Sequence, residues 1–319
     1  MIKILANDGI HPDGLLLLEE ASYQVCEDKI DQEDLPAGIA DYDVLIVRSA
    51  TKVTKAVIDG AKKLKIIGRG GVGLDNIDVE YAQSKGIQVF NTPQASSRAV
   101  AELATAHIFT LARMLQRSNR ELASGADFKK LKKESESGFQ IKDKILGIVG
   151  FGRIGQELAK IALGLGMHIR AHDPFVSEAE IGIQLGGDHE DLKLSLTIPT
   201  EPLEKVLNNS DILSFHIPGI GKPLLGAAEL EKLKTGAILI NTARGGVIDE
   251  TALLAALNSG KIGGAGLDVF ENEPKPMEAL LCHPKVSCSP HIGASTMEAQ
   301  AYIGMELAEK IISFFGDDK

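Results

Sequence analysis

Short apolar runs rich in β-branched residues alternate with segments of helical periodicity along the chain, the pattern of a parallel sheet with crossover helices. The alternation occurs twice. The first set predicts strands over residues 2–5, 44–47, 64–67 and 87–90, with helices over 12–21, 55–61 and 79–84. The second predicts strands over 145–149, 169–171, 212–216, 237–240 and 264–269, with helices between them. The expected fold class is therefore α/β, with two Rossmann-like or flavodoxin-like parallel-sheet domains, each long enough for its own core.

Between the two sets, Val100, Leu103, Ala104, His107, Ile108, Leu111, Met114 and Leu115 share one helical face and predict a long helix linking the domains. Near the end, Ser295-Thr296-Met297-Glu298 reads as a capping box opening a helix through Ile303, Leu307, Ile311 and Phe314. Chain termini often lie close together. This last helix is accordingly expected to return to the first domain, which becomes discontinuous: residues 1–97 plus 291–319, with 98–290 forming the other.

Composition narrows the class. Apolar residues make up 44% of the chain, with no run near the roughly 18 needed for a membrane span. The start, Met1 followed directly by Ile2-Lys3-Ile4-Leu5, lacks the pattern of a secretory signal, so a soluble, cytoplasmic protein is expected. Cys26, Cys282 and Cys288 form neither a disulfide framework nor a zinc pattern, and no metal is expected. The net charge of −10 gives no attraction to nucleic acid or to an anionic membrane. An anionic substrate would have to be met by local cations. The strongly charged run from Lys129-Lys130-Leu131-Lys132-Lys133 to Gly138 reads as a solvated surface loop.

The most specific motif follows the strand Ile145-Leu146-Gly147-Ile148-Val149. There Gly150-Phe151-Gly152-Arg153-Ile154-Gly155 is G-x-G-x-x-G between a strand and a helical pattern through Leu158, Ile161, Ala162 and Leu165. Gly150 permits the tight turn, Gly152 the approach of a pyrophosphate, and Gly155 close packing of helix on strand. The helix N-terminus adds free N–H groups and partial positive charge. A second strand ends in Asp173, about 20 residues on, where an acidic side chain bonds the ribose hydroxyls and repels a 2′-phosphate. The following Pro174-Phe175 supplies no arginine for that phosphate, so the cofactor is expected to be NAD rather than NADP.

Three polar clusters stand at the ends of later strands, where ligands bind in open α/β sheets. Asn241-Thr242-Ala243-Arg244-Gly245-Gly246 offers an arginine able to grip a carboxylate through two N–H groups. Asp268-Val269-Phe270 leads to Glu271-Asn272-Glu273-Pro274, and Ser289-Pro290 delivers His291 followed by Ile292-Gly293-Ala294. Hydride removal from an alcohol needs a base for the hydroxyl proton, and an imidazole oriented by a carboxylate meets that need. Of the eight histidines, His107, His168, His172 and His216 read as structural, whereas His291 sits in a turn fixed by proline and glycine.

These motifs, in this order, resemble the D-isomer-specific 2-hydroxyacid dehydrogenases over nearly the whole chain. The resemblance implies Arg244 as substrate arginine, His291 as acid/base and Glu273, the glutamate directly before Pro274, as the histidine's partner. It implies that Asp268 contacts the nicotinamide carboxamide and that Arg153, Ile154 and Asp173 hold pyrophosphate and ribose. Further cofactor contacts implied are Val72, His216, Ile217, Thr242, Ala243 and Gly293. It also implies a cleft between the two domains, the first binding substrate and the second NAD, and a homodimer built largely through the cofactor domain.

Within that family, Val47-Arg48-Ser49-Ala50-Thr51-Lys52-Val53-Thr54 and Gly68-Arg69-Gly70-Gly71-Val72-Gly73-Leu74-Asp75-Asn76-Ile77-Asp78 look most like 3-phosphoglycerate dehydrogenases. Arg48 would pair with the phosphate, and Gly70-Gly71 would offer backbone N–H groups to the carboxylate. A lysine among Lys129 to Lys133 would reach the neighbouring subunit's substrate. The sequence departs from relatives at Ile217-Pro218-Gly219-Ile220-Gly221, where Ile217 replaces a hydroxyl-bearing threonine on the adenosine side. It ends at Lys319 without the regulatory domains of longer phosphoglycerate dehydrogenases, so no serine feedback through such a domain is expected. The alternatives are a glyoxylate or hydroxypyruvate reductase and, in another class, a dinucleotide-sensing corepressor-like binding protein.

Overall fold

The computed structural model describes residues 1–185 and 192–316. The stretches 186–191 and 317–319, which fall within the domain ranges expected from sequence, lie outside the described residues. The chain divides into two compact units, Met1–Ser97 with Ala294–Lys319, and Arg98–Gly293.

The first unit opens as β1 (Lys3–Ala6), α1 (Pro12–Glu20), β2 (Gln24–Cys26), α2 (Leu35–Gly38), β3 (Val44–Val47), α3 (Lys55–Gly60), β4 (Ile66–Arg69), α4 (Val79–Ser84) and β5 (Gln88–Asn91). Its strands form one sheet in the order β2-β1-β3-β4-β5, with every pair parallel. All four residues of β3 are buried. Successive side chains of a strand point to opposite faces, so a strand covered on both faces must be apolar throughout. Leu5, Leu45, Val47 and Ile67 accordingly join Val57 and Ile58 on one face, while Ile4, Ala6, Val44, Ile46 and Ile66 face the other with Leu18. The short β2 was not foreseen, because its residues are only partly covered and show no apolar run.

The second unit begins with α5 (Ser97–Ala112), α6 (Leu115–Ala123) and α7 (Phe128–Glu134). The long linking helix expected from sequence is thus interrupted: Met114 is left-handed at φ +55°, and the Ala112 carbonyl accepts the Phe139 N–H at 3.0 Å. The apolar stripe has no core beneath it past Ala112, since Leu115 and Leu122 are exposed. The lysine run is a helix rather than the expected loop. Asp127 caps α7 by accepting the Lys130 N–H at 2.7 Å, Leu131 is buried, and Arg117 pairs with both Glu121 and Glu134. One apolar anchor and one cap suffice to order a turn that the charge pattern disguised.

The sheet of this unit comes from β6 (Ile145–Val149), α8 (Arg153–Gly164), β7 (His168–His172), β8 (Glu178–Leu185), β9 (Leu192–Pro199), α9 (Leu203–Asn209), β10 (Ile212–Phe215), α10 (Ala227–Lys232), β11 (Ala237–Asn241), α11 (Glu250–Ser259), β12 (Ile262–Leu267), α12 (Glu278–Leu281) and β13 (Val286–Cys288). Six strands pair in parallel in the order β13-β12-β11-β10-β6-β7. The order reverses beside β6, and such a switch point opens a crevice at the C-terminal strand ends. Between β7 and β10 the structure inserts the antiparallel pair β8 and β9, where only helix was expected. Ile181 and Ile198 bury the base of this hairpin against the core that contains α8.

The chain ends in α13 (Met297–Gly316), which rejoins the first unit. Its cap is Thr296, whose hydroxyl accepts the Ala299 N–H at 3.1 Å, one residue later than the Ser295 expected. Leu307, Ala308 and Ile311 fill the face occupied by Ile4, Ile46 and Ile66. Helices α1 and α13 cross backbone to backbone at Gly14 and Gly304, where a Cβ on Gly14 would come within 2.8 Å of the Gly304 Cα.

Candidate active site

In the second unit, β6 runs straight into the turn Gly150–Gly155, and its three glycines have three different reasons to be there. Gly150 has φ +95°, and a Cβ on it would sit 2.5 Å from the His216 carbonyl oxygen. Only glycine adopts that conformation without strain. Gly155, in the first turn of α8, would drive a Cβ into the Gly150 carbonyl. Gly152, the residue preceding α8, faces open space, with nothing within 4 Å of where its Cβ would be. That space lies at the N-terminus of a 12-residue helix, where unsatisfied N–H groups and the helix dipole favour phosphate oxygens. Arg153 is exposed at the first position of α8, and Ile154 is half-buried beside it.

Asp173 closes β7 and holds this turn in place. One carboxylate oxygen accepts the Phe151 N–H at 2.8 Å, and the other accepts Phe175 N–H at 2.8 Å and Val176 N–H at 3.2 Å. The aspartate therefore shapes the turn before it touches any ribose. Two polar atoms just past the ends of β10 and β11 are buried without a hydrogen-bond partner, His216 Nδ1 and Thr242 Oγ1. Burial pushes the His216 imidazole down to about 3, so the ring is neutral, and its Nε2 bonds Ser214 Oγ at 2.9 Å. Ile217 packs its side chain on the core, and Ala243 is held by its N–H on Asn241 Oδ1 at 3.1 Å. An open glycine cradle, a helix N-terminus and two orphaned buried polar atoms fit a dinucleotide.

Arg244, Glu273 and His291 follow the ends of β11, β12 and β13. Arg244 follows β11 in a loop pinned by Asn241, whose Nδ2 donates to the Arg244 carbonyl at 2.8 Å, while the guanidinium donates to the Ala243 carbonyl at 2.6 Å. The adjoining Gly245 lies so close to the Phe270 backbone that a Cβ would collide with it. The Phe270 N–H in turn donates to Glu273 Oε1 at 3.0 Å, leaving Glu273 Oε2 for His291 Nδ1 at 2.8 Å. A carboxylate can only accept, so Nδ1 carries the proton and Nε2 is the nitrogen available to a substrate. Both side chains remain partly exposed, at 47% and 36%, and so accessible to a ligand.

Glu271, the neighbouring acid, is engaged elsewhere. Its Oε1 accepts the Glu250 N–H at 3.2 Å, and Glu250 Oε1 accepts the Glu271 N–H at 2.7 Å, a reciprocal brace between α11 and the loop. Burial, together with the charges of Glu271 and Glu273, raises the Glu250 carboxyl above its ordinary value, although the Glu271 N–H offsets part of this. The brace fixes Glu271 and explains why the second glutamate of the loop, not the first, meets His291. Sequence gave no sign of it.

His291 has φ +54°, a left-handed conformation that costs a non-glycine residue on the order of 1 kcal/mol or more. The buried Asp268 holds it there. The Asp268 carbonyl accepts the His291 N–H at 2.8 Å, and its carboxylate accepts the N–H groups of Ile292 and Gly293, both at 2.8 Å, and the Ser289 hydroxyl at 2.6 Å. The side chain expected to face the nicotinamide is thus also the anchor of the histidine turn.

The first unit carries the remaining expected residues. Asp8 accepts the Arg48 N–H at 2.7 Å and the Thr51 hydroxyl at 2.7 Å, and Asn76 Nδ2 donates to the Arg48 and Thr51 carbonyls at 2.8 and 2.6 Å. Arg48 therefore projects from a braced loop and is exposed. The donors expected from Gly70-Gly71 are already engaged. Gly70 N–H donates to the Val47 carbonyl at 2.9 Å, and Gly71 N–H to Thr92 Oγ1 at 2.8 Å. Gly71, at φ +136°, makes room for the Arg69 guanidinium. Val72 is partly exposed, and its carbonyl accepts from Asn91 at 2.7 Å.

Among the described residues no cluster of His, Cys, Asp and Glu is arranged to hold a metal ion, and no helix is long and apolar enough to cross a membrane.

Comparison with known proteins meets this geometry. The family model for the NAD binding domain of D-isomer specific 2-hydroxyacid dehydrogenases matches residues 105–293. The chain is 41% identical to hydroxypyruvate reductase of Thermotoga maritima over 320 residues, covering 98% of each. It is also 41% identical over 317 residues to D-3-phosphoglycerate dehydrogenase of Methanocaldococcus jannaschii, covering 98% of this chain but 57% of that protein. Among solved structures, the NAD+-bound 3-phosphoglycerate dehydrogenase of Entamoeba histolytica superposes with a TM-score of 0.78 at 27% identity, covering 100% of this chain and 96% of the other. The chain belongs to the D-isomer specific 2-hydroxyacid dehydrogenases, with NAD as its cofactor.

Proposed function

We propose that the protein interconverts 3-phospho-D-glycerate and 3-phosphohydroxypyruvate, the entry reaction of serine biosynthesis. The observation that carries the proton chemistry of this reading is the 2.8 Å pair between His291 Nδ1 and Glu273 Oε2, braced to the Arg244 loop through Phe270. NAD, when bound, supplies or accepts the hydride. In oxidation, His291 Nε2 takes the C2 hydroxyl proton as the hydride leaves C2, and Glu273 stabilises the imidazolium that forms. In reduction the same nitrogen returns the proton to the ketone oxygen. Arg244 grips the substrate carboxylate through its fork of N–H groups and holds C2 in line. Gly152 and the first turn of α8 would hold the pyrophosphate, Asp173 the ribose, and Thr242 and Asp268 the nicotinamide side.

The phosphate is assigned to Arg48, whose loop is preorganised by Asp8 and Asn76. The identity with the Methanocaldococcus enzyme supports this choice. The identity with the Thermotoga enzyme, which the chain matches over 98% of its length, favours a second reading as a hydroxypyruvate reductase with the same proton chemistry. Homodimer assembly is part of the proposal, with a lysine of α7 reaching the neighbouring subunit's substrate. Sedimentation velocity tests the assembly.

The deciding experiment is NADH oxidation with 3-phosphohydroxypyruvate, hydroxypyruvate and glyoxylate in parallel, for the wild type and Arg48→Ala. The expected outcome is a kcat/KM preference for the phosphorylated ketoacid that Arg48→Ala removes by about tenfold to a hundredfold. Preference for hydroxypyruvate, unchanged in Arg48→Ala, would overturn the substrate and leave the chemistry.

A further inference from the structure

A buried histidine outside the acid/base pair joins the turn that carries His291. His107, on α5, is 4% exposed, and both its ring nitrogens reach hydroxyls of the β13 segment: Nδ1 lies 2.9 Å from Ser287 Oγ and Nε2 3.0 Å from Ser289 Oγ. Space for the ring is made by Gly266 on β12, where a Cβ would stand 2.7 Å from the His107 Cβ. Ser289 Oγ also bonds Asp268 Oδ1 at 2.6 Å, and Asp268 receives the N–H groups of His291, Ile292 and Gly293.

Counting protons fixes the direction of this chain. A carboxylate only accepts, so the single Ser289 proton goes to Asp268. Ser289 oxygen must then accept from His107, which places the ring proton on Nε2. Burial pushes the His107 imidazole below its ordinary range, against the opposing charge of Asp268, so the ring is neutral and Nδ1 is an acceptor. Ser287 donates to it. The sequence of donations runs Ser287 to His107 to Ser289 to Asp268, every member satisfied and pointing one way.

We propose that His107 is a positioning residue for the reaction: its Nε2–H orients the Ser289 hydroxyl onto Asp268, and Asp268 so oriented holds the His291 turn in its left-handed conformation. The proposal rests on the reading of His291 as the acid/base. A shift of the turn by a fraction of an ångström moves His291 Nε2 relative to C2, which lowers kcat.

Two substitutions separate the ends of the ring. His107→Gln retains an amide N–H near the Nε2 position and can still donate to Ser289, whereas His107→Asn places its amide near Nδ1 and cannot. The expected result is kcat within about twofold of wild type for His107→Gln and a loss of about tenfold or more for His107→Asn. Equal kcat values for the two variants would overturn the proposal. Should either fail to fold, the tautomer of His107 in the wild type decides the question.

Two readouts stand apart from turnover. Nuclear magnetic resonance of isotope-labelled imidazole nitrogens is expected to show His107 protonated at Nε2 and bare at Nδ1, and the opposite tautomer overturns the assignment. Hydrogen exchange of the Ile292 and Gly293 amides is expected to quicken in His107→Asn but not in His107→Gln, and equal exchange contradicts the link. If the wild type reduces none of the three ketoacids, these measurements still decide whether the network exists, so its failure is distinguishable from failure of the proposed function.

Discussion

Two glycine turns, one in each unit, stand at the C-terminal ends of parallel strands and look alike in sequence. They differ in what lies beside them. After β6, Gly152 faces open space at the start of a 12-residue helix. After β4, the amides of Gly70 and Gly71 are engaged by Val47 and Thr92, and the space beside Gly71 is filled by Arg69. A glycine turn with one positive φ therefore leaves a cradle for an anion only where the space beside it is open at a helix N-terminus. The first turn leaves open space at the start of a helix; the second lets an arginine fold back over the chain.

Substitutions can break or sharpen this contrast. The largest expected effect is Gly150→Ala, which forces φ +95° on an alanine and sets its methyl against the His216 carbonyl. A loss of about 3–5 kcal/mol in unfolding free energy is expected by chemical denaturation. Next is Gly152→Ala, whose added methyl meets nothing in the protein. Its melting temperature should match wild type, while the NADH Kd by fluorescence titration weakens about tenfold to a hundredfold. A variant that binds normally would mean that the pyrophosphate does not approach this backbone. The smallest is Thr92→Val, which orphans the buried Gly71 N–H. It should cost about 1–3 kcal/mol of stability and leave NADH affinity alone, the reverse of Gly152→Ala.

Much of the fold was legible because both sheets are covered on both faces. Strands such as β3 and β6 must then be continuously apolar, and they stand out against their surroundings. What escaped was whatever lacks that contrast. Strand β2 is three residues, one exposed and two half-covered, and the β8 and β9 hairpin alternates in a region where a crossover helix was expected. Helix α7 is ordered by Leu131 and the Asp127 cap inside a run that reads as charge. At the site, the order of the motifs singled out Arg244, Glu273 and His291, and the proline after Glu273 favoured it over Glu271, the glutamate that does not meet His291. The brace that enforces this selection, Glu250 on Glu271, joins residues 21 apart. His107 meets Ser287 across 180 residues. On its helix it is one more position of an apolar stripe, and only the fold shows that its partners are hydroxyls.

The proposed role of His291, oriented by Glu273, is to move the proton. Its most direct test is NADH oxidation by His291→Asn with 3-phosphohydroxypyruvate, measured by absorbance beside NADH binding measured by fluorescence. The expected result is a Kd near that of wild type with kcat lower by about a hundredfold to ten-thousandfold. Near-normal turnover would contradict the claim and assign the proton to another group.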